Sequence, residues 1–199
     1  ILYVYGECGE DVTEHQFNDW YDNEHAPLRL TVPGFFTAAR YKALDVPPKT
    51  FPKWMAMYDM ASKEVMKSQE YKGLSAKASA NERQVVGNLK TLDRRVYELI
   101  YISGQAPGTA EDMKTARFIY AVHMHVVGKD VQEHHHAAQE ENFIQWYTST
   151  RIPLLTLVPG YIRSRVFRLT EQAELAGKAT VDSKAKSPFK FLAIHEWDA

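Results

Sequence analysis

Short runs of aromatic and aliphatic residues, separated by turn-forming residues, dominate the hydrophobic pattern of the first half of the chain. The run Leu2–Glu7 ends at Cys8-Gly9 and predicts a strand followed by a turn. Further runs predict strands at Phe35–Leu44, Lys53–Met60 and Arg95–Ser103. The pattern therefore indicates a sheet-forming domain in this half.

A helical pattern follows the first predicted strand. Thr13, with Gln16 three residues later, has the spacing of a capping box. Large apolar residues then recur at helical spacing, at Phe17, Trp20, Tyr21 and Leu28. Pro27 disfavours helical backbone at the preceding residue, so we expect the helix to end or kink near His25 before a loop.

A second, shorter helix is predicted to begin at Ser62 and to reach Tyr71. The predicted order is therefore strand, helix, strand, strand, helix, strand, which is the split βαβ unit of a ferredoxin-like domain. Such a domain has one antiparallel sheet with helices on one face, so the predicted fold class is α+β.

The second half of the chain repeats the first at an offset of 126 residues. Eight residues of the 20-residue window that begins at Phe17 recur there, where about one is expected by chance. The eight are Phe17, Trp20, Tyr21, Pro27, Leu28, Val32, Pro33 and Gly34, and they fall on Phe143, Trp146, Tyr147, Pro153, Leu154, Val158, Pro159 and Gly160. The sequence thus predicts a tandem repeat: residues 1–104, a linker at 105–117, and a second, degenerate repeat at 118–199.

The second repeat carries its own predicted strands, at Phe118–Val127, Tyr161–Leu169 and Phe189–Trp197. Two ferredoxin-like sheets packed face to face would bury the apolar face of each sheet. An open space between them would be concave and lined by aromatic residues, which is the usual setting of a small-molecule site. We therefore expect an internal pseudo-dimer.

Composition and charge exclude several classes of function. Lys and Arg number 24 against 25 Asp and Glu, so no positive field attracts nucleic acid or an anionic membrane surface. No apolar run approaches the roughly 18 residues that span a membrane. Cys8 is the single cysteine, which is typical of a reducing compartment, so we expect a cytoplasmic protein.

The segment Phe17–Leu28, with its Trp20-Tyr21 and Glu24-His25-Ala26-Pro27 elements, is followed by Val32-Pro33-Gly34-Phe35. In combination these elements resemble the dimeric α+β barrel superfamily and, within it, the EthD-like proteins of fungal type. The resemblance extends to Arg40-Tyr41 and to the strand at Trp54–Met60. It implies two ferredoxin-like halves that form an intramolecular dimeric α+β barrel.

The resemblance also implies a range of activities on small organic molecules. Relatives include decarboxylases and cyclases of aromatic polyketides, lactone isomerases, metal-free monooxygenases and haem-handling proteins. In several such enzymes a histidine at the position of His25 is thought to act as the acid–base group. Fold membership alone leaves the reaction open.

His25, Glu24 and Tyr21 are the candidate catalytic residues. Glu24 shares a helical stripe with apolar residues, and His25 follows Tyr21 by four positions. An imidazole beside a carboxylate is suited to removing a proton from a phenol, an enol or an activated carbon. Alternatively, Glu24 pairs with Arg29 or Arg40 and His25 caps its helix end.

The second repeat has Thr150 and Arg151 in place of Glu24 and His25. One copy has therefore lost the acid–base pair while keeping the Trp, Tyr, Pro and Gly residues around it. This difference favours a functional role for the pair in the first repeat, although altered packing in a relaxed copy accounts for it as well. Arg151 is a candidate for binding an anionic group of the substrate.

Further residues are candidates for lining a binding cavity: Trp20, Arg40, Tyr41, Tyr58, His123, His125 and Arg151. Tyrosine hydroxyls in such a cavity could donate to a developing enolate. His123 and His125 share a strand face, which is half of a metal site, but nothing nearby supplies a third ligand, so we predict no metal. Asp59 and Glu196 occupy matching strand positions, which indicates a structural pairing.

The leading hypothesis is an enzyme without metal or coenzyme. It would catalyse decarboxylation, cyclisation or isomerisation of an aromatic polyketide or a similar secondary metabolite by acid–base chemistry. One alternative is a non-catalytic, accessory protein that binds a hydrophobic ligand. Another is a haem-handling barrel protein with a histidine as axial ligand. The expected partner is a small apolar or aromatic molecule, and the chain is either a monomeric pseudo-dimer or a homodimer.

Overall fold

The computed structural model describes residues 1–44, 52–104, 115–126, 133–176 and 189–198, and of 133–136 it describes the backbone alone. Helices accompany strands that pair antiparallel, so the protein has a mixed α/β fold. The strands are β1 (Leu2–Glu7), β2 (Phe35–Lys42), β3 (Trp54–Met60), β4 (Thr91–Gly104), β5 (Phe118–Met124), β6 (Tyr161–Ala176) and β7 (Phe191–Trp197).

The helices include short segments of other helical types. The α-helices are α1 (Glu14–Trp20), α2 (Ala26–Leu30), α3 (Gln69–Lys72), α4 (Ala80–Asn88), α5 (Glu133–Trp146) and α6 (Ile152–Leu155). The π-helical turns, called here the first and second π-turns, are Tyr21–His25 and Tyr147–Arg151, and 3₁₀ turns occur at Lys63–Lys67 and Ser75–Lys77. None of the helices described is long and apolar enough to cross a membrane.

The chain divides into two compact units. Unit 1 comprises Ile1–Glu98 and Thr170–Pro188, and unit 2 comprises Leu99–Leu169 and Phe189–Ala199. The predicted repeat boundaries at residues 104 and 118 stay predictions, and residues 105–114 of the linker lie outside the described part of the chain.

In unit 1 the strands lie in the order β2-β3-β1-β4, and the β1–β3, β1–β4 and β2–β3 pairs are antiparallel. Alternate residues of a strand point to opposite faces of the sheet. Leu2 and Val4 of β1 accordingly join Phe17 and Trp20 of α1 in one hydrophobic core. Tyr3 lies on the other face of the sheet and is also buried.

In unit 2 the order is β6-β7-β5, again antiparallel. Its core contains Met124, Tyr147, Ile152, Val166, Phe191 and Ala193. Tyr147 and Ile152 come from the second π-turn and α6, so this helical segment packs its apolar side on the unit's strands.

The first helix does not end near His25, but its helical geometry changes there, where the sequence predicted an end or a kink. It begins at the predicted capping box, in which Thr13 and Gln16 bond reciprocally, and continues through the first π-turn and α2 to Leu30. The N–H of Ala26 reaches back five residues to the Tyr21 carbonyl. This widened turn makes room for the Pro27 ring, which in a regular helix clashes with the carbonyl four residues earlier.

The predicted strands are confirmed, although several begin or end at other residues than predicted. β1 has its predicted bounds, whereas β4 begins at Thr91, before the predicted start at Arg95, and β6 continues past Leu169 to Ala176. The sequence interpretation missed α4. Ser79 caps this helix by accepting a hydrogen bond from the Glu82 N–H at 2.9 Å.

Candidate active site

His25 lies at the end of the first π-turn, inside the core of unit 1. Its ring centroid is 4.3 Å from that of Trp20 and 4.8 Å from that of Tyr21, and the residue is 3% exposed. Arg29, one turn later, donates to the His25 carbonyl at 2.9 Å. The π-turn therefore holds the imidazole against two aromatic rings with its backbone fixed.

Glu82 of α4 is the carboxylate partner of this histidine. Its Oε1 lies 3.1 Å from His25 Nδ1, and the two side chains are 12% and 4% exposed. Burial lowers the pKa of His25 to about 4, and the hydrogen bond from His25 lowers the pKa of Glu82. At neutral pH the pair is consequently a neutral imidazole and an ionised carboxylate, although its geometry is that of an ion pair.

These charge states determine the histidine tautomer. An ionised carboxylate only accepts hydrogen bonds, so the proton of the neutral ring lies on Nδ1 and is donated to Glu82. The lone pair is therefore on Nε2, which makes no hydrogen bond to the part of the chain that the structure describes. The carboxylate therefore directs protonation to Nε2, while burial disfavours the imidazolium that protonation would form.

Glu24 has a different partner from either interpretation of the sequence. Its Oε2 accepts a hydrogen bond from Asn81 of α4 at 3.2 Å. It pairs neither with Arg29 nor with Arg40, whose guanidinium binds Asp22 at 2.5 Å and Asn18 at 2.7 Å. Glu24 and Glu82 thus both connect the first helix to α4.

Tyr21 and Tyr58 complete the buried group. Tyr58 lies on the helix-facing side of β3, and the two residues are 2% and 0% exposed. Burial is the main reason that the pKa of each phenol is raised, and each also perturbs the pKa of the other. The two hydroxyls are therefore near neighbours, and both are protonated at neutral pH.

Arg40 of β2 covers the aromatic residues of this core. Its guanidinium lies 4.5 Å from the ring centroid of Tyr21 and 5.2 Å from those of Phe17 and Trp54. The structure thus brings Trp20, Tyr21, Arg40 and Tyr58 together, as a shared site requires. Tyr41, adjacent to Arg40 in an extended strand, lies on the opposite face of the sheet beside Met55.

The remaining sequence candidates belong to unit 2. His123 is in β5 with its ring 6.1 Å from that of Phe189, whereas His125 lies just past the end of the strand and is exposed. Arg151 ends the second π-turn and is exposed. Among the residues that the structure describes, no three His, Cys, Asp or Glu side chains are grouped as metal ligands.

Unit 2 holds a buried hydrogen-bonded chain that sequence reasoning missed. His195 Nε2 lies 2.9 Å from the Tyr147 hydroxyl, and its Nδ1 lies 2.7 Å from Ser164 Oγ. Burial lowers the pKa of His195 to about 4, so this imidazole is also neutral. The signal lay in the repeat itself, since Tyr147 matches Tyr21 at the 126-residue offset.

Asp59 and Glu196 have different polar partners. Glu196 is 1% exposed and binds Arg163 and Arg165 at 2.9 and 2.8 Å. Asp59 accepts a hydrogen bond from the Thr37 hydroxyl at 2.9 Å. Each of these contacts joins adjacent strands, which fits a structural role.

No protein-family model and no curated protein matches the sequence. This chain is similar to a crystal structure described as that of an anthrone oxidase-like protein. The alignment covers 100% of this chain and 72% of the chain in that crystal structure. The TM-score is 0.54 and the sequence identity is 13%. At this identity the similarity concerns the fold alone.

Proposed function

We propose that this protein is a small-molecule enzyme that uses the His25–Glu82 pair as its acid–base group. The observation that carries the proposal is the buried, neutral imidazole whose Nδ1 proton is held by an ionised carboxylate. Such a ring accepts a proton at Nε2, and the adjacent carboxylate offsets part of the cost that burial places on the imidazolium. The reaction needs no metal or coenzyme.

The proton transfer accounts for each reaction class expected from the sequence. His25 takes a proton from an acidic carbon or hydroxyl, and the electron pair left behind moves onto a carbonyl oxygen of the substrate. Return of the same proton to another atom completes an isomerisation. Attack of the new carbanion on a second carbonyl closes a ring, and His25 returns its proton to the alkoxide that forms. In a decarboxylation His25 takes the proton of a β-keto acid, the bond to the carboxyl carbon breaks with its electron pair moving onto the ketone, carbon dioxide leaves, and His25 returns the proton to the enolate.

The substrate class proposed is an oxygenated aromatic molecule of polyketide type. The fold of the anthrone oxidase-like protein supports this choice at the level of fold. The rings of Trp20 and Tyr21 beside the imidazole support it as well, because they offer flat apolar surface to a flat apolar ligand. Anthrone itself, a tricyclic ketone with an acidic C10 position, is the natural first probe.

The finer description of the fold is also a proposal: two EthD-like, ferredoxin-like repeats that arose by tandem duplication and form an intramolecular α+β barrel. The strand order of unit 1 is that of a ferredoxin-like sheet. The π-turns at Tyr21–His25 and Tyr147–Arg151 are 126 residues apart, each just before a proline. A shared ancestor of the two segments accounts for both irregularities.

The single cysteine, Cys8, still favours a cytoplasmic location.

Substrate enters in this proposal while α4 is displaced, and the His25–Glu82 bond re-forms when the helix closes over the bound ligand. The imidazole is closed off in the described conformation, with Glu82 and Asn81 of α4 bonded to His25 and Glu24. Within α4 Val85 is buried and Val86 packs partly buried against the same core, so this helix has an apolar contact of two residues to lose. A helix with little buried apolar surface opens at low cost in free energy.

The test is deuterium exchange at anthrone C10 in oxygen-free D₂O, followed by proton NMR. The wild type should accelerate exchange over the enzyme-free rate, and His25→Asn should lose about 10²- to 10⁴-fold of that acceleration. His15→Asn makes the same change at an exposed histidine and should keep the wild-type rate. Full exchange in His25→Asn would exclude His25 as the base. Tight anthrone binding without exchange would favour the non-catalytic, ligand-binding alternative.

A further inference from the structure

The core of unit 1 contains buried polar groups without hydrogen bonds. The hydroxyls of Tyr21 and Tyr58 interact with each other and have no other partner within the part of the chain that the structure describes, and the indole nitrogen of Trp20 has none. Burying a hydroxyl without a hydrogen bond costs about 1–3 kcal/mol. Natural proteins therefore pair such groups, and unpaired ones mark positions where a ligand or water supplies the partner.

Unit 2 shows how the same position looks when its groups are paired. Tyr147 matches Tyr21 at the 126-residue offset. His195 corresponds to Tyr58 by strand register: Tyr58 pairs with Ala38 in unit 1, and His195 pairs with Ser164, the residue that matches Ala38, in unit 2. In unit 2 the tyrosine hydroxyl is bonded to the His195 ring at 2.9 Å, and that ring is bonded to Ser164 at 2.7 Å. In unit 2 these side chains therefore bond to one another, and the tyrosine hydroxyl is not left to bind a ligand.

The two hydroxyls of unit 1 have properties suited to an oxygen acceptor. Both carry a proton at neutral pH, and they lie close enough to each other to perturb each other electrostatically. The His25 ring is 4.8 Å from the Tyr21 ring, centroid to centroid. A base and two hydroxyl donors are thus grouped among the aromatic residues of one buried core.

We propose that the Tyr21 and Tyr58 hydroxyls together bind one oxygen of the ligand, a ketone oxygen that becomes an enolate oxygen when the neighbouring carbon loses its proton. This inference deepens the proposed function and rests on it. It narrows the substrate class to enolisable ketones. The proton passes to His25 Nε2, the electron pair of the broken carbon–hydrogen bond forms the carbon–carbon double bond of the enolate, and the carbonyl π pair moves to the oxygen bound by the tyrosines. Preorganised donors at that oxygen stabilise the developing charge.

The test compares fluorenone with fluorene, a flat pair that differs in a carbonyl against a methylene group. Binding to the wild type and to Tyr21→Phe, Tyr58→Phe and the double variant is measured by fluorescence titration, and the infrared carbonyl stretch of bound fluorenone is recorded. Each lost hydroxyl should weaken fluorenone binding about 3- to 10-fold and leave fluorene unaffected. The stretch should move to higher frequency as the donors are removed. Tyr147→Phe removes a hydroxyl already bonded to His195 and should leave both ligands unaffected.

The outcomes separate this inference from the proposed function. An unchanged carbonyl stretch and affinity in the double variant would overturn the two-donor site, even if His25→Asn abolishes deuterium exchange. Failure of fluorenone to bind the wild type any better than fluorene would also overturn it. If the double tyrosine variant loses the preference for fluorenone while His25→Asn keeps normal exchange, the two-donor site is supported and His25 is excluded as the base.

Discussion

Acidification should destabilise the protein through His25 before any carboxylate titrates. Burial lowers the pKa of this imidazole from an ordinary 6.5 to about 4. Between those values the unfolded chain binds a proton that the folded chain does not, so the free energy of unfolding falls as pH falls. Glu82, whose pKa is lowered in the folded state, adds a loss of the same sign at lower pH.

The magnitude follows from the pKa values of the imidazole in the unfolded and the folded chain. A tenfold difference in proton affinity between the two states corresponds to about 1.4 kcal/mol, so full protonation costs about 3 kcal/mol of stability. Between pH 7 and pH 5, where ordinary carboxylates stay ionised, the loss from His25 is about 2 kcal/mol. This is a large fraction of the stability of a typical domain.

Urea unfolding at pH 7, 6 and 5, followed by tryptophan fluorescence and circular dichroism, measures this loss. His25→Phe keeps a ring between Trp20 and Tyr21 but does not titrate, so its stability should fall by about 2 kcal/mol less than that of the wild type over this range. His15→Phe, at an exposed histidine, should keep the wild-type dependence. The reasoning is refuted if His25→Phe and the wild type lose the same stability, because His25 would then have an ordinary pKa.

Three further predictions concern single substitutions. Tyr147→Phe leaves His195 Nε2 without its partner and should cost about 1–3 kcal/mol in urea unfolding, so an unchanged midpoint would argue against the hydrogen bond. Gly34→Ala should lower the free energy of unfolding by about 1–3 kcal/mol, because Gly34 has a φ of 94° and an added Cβ would lie 2.7 Å from a valine methyl group. Gly87→Ala in α4 meets no atom within 4 Å and should raise the free energy of unfolding by about 0.5–1 kcal/mol. Equal effects of the two substitutions in urea unfolding would contradict this. Glu82→Gln removes the charge that raises the pKa of the imidazole, so the acid limb of the exchange rate should move to lower pH, and an unmoved limb would exclude the pairing.

Local patterns predicted the parts of the fold that local interactions determine. The capping box at Thr13 and the bounds of β1 follow from residues close in sequence. Pro27 shows the limit of such rules, because they predicted an end or a kink near His25 without deciding between them, and a π-turn lets the helix continue past the proline. A single widened turn leaves no periodic signal in the sequence. Alignment of the repeat shows only that Pro27 recurs as Pro153, and the structure then shows a π-turn before each of these prolines.

The candidate site was half predictable. His25 follows Tyr21 by four positions, so the contact between these two follows from spacing, whereas the π-turn brings Trp20, five positions before His25, against the imidazole. Glu82 lies 57 residues from His25, and no spacing rule connects positions so far apart. Its helix was overlooked because α4 is mostly polar, yet Ser79 followed by Glu82 has the spacing of a helix start.

The pH profile of catalysed deuterium exchange at anthrone C10 tests the central claim most directly. If the His25–Glu82 pair is the acid–base group, exchange per enzyme should be constant through neutral pH and fall on an acid limb near pH 4, the pKa of the buried imidazole. His25→Asn should lose the catalysed rate across the whole profile. An acid limb near pH 6.5 in the wild type, or a full rate in His25→Asn, would contradict the account.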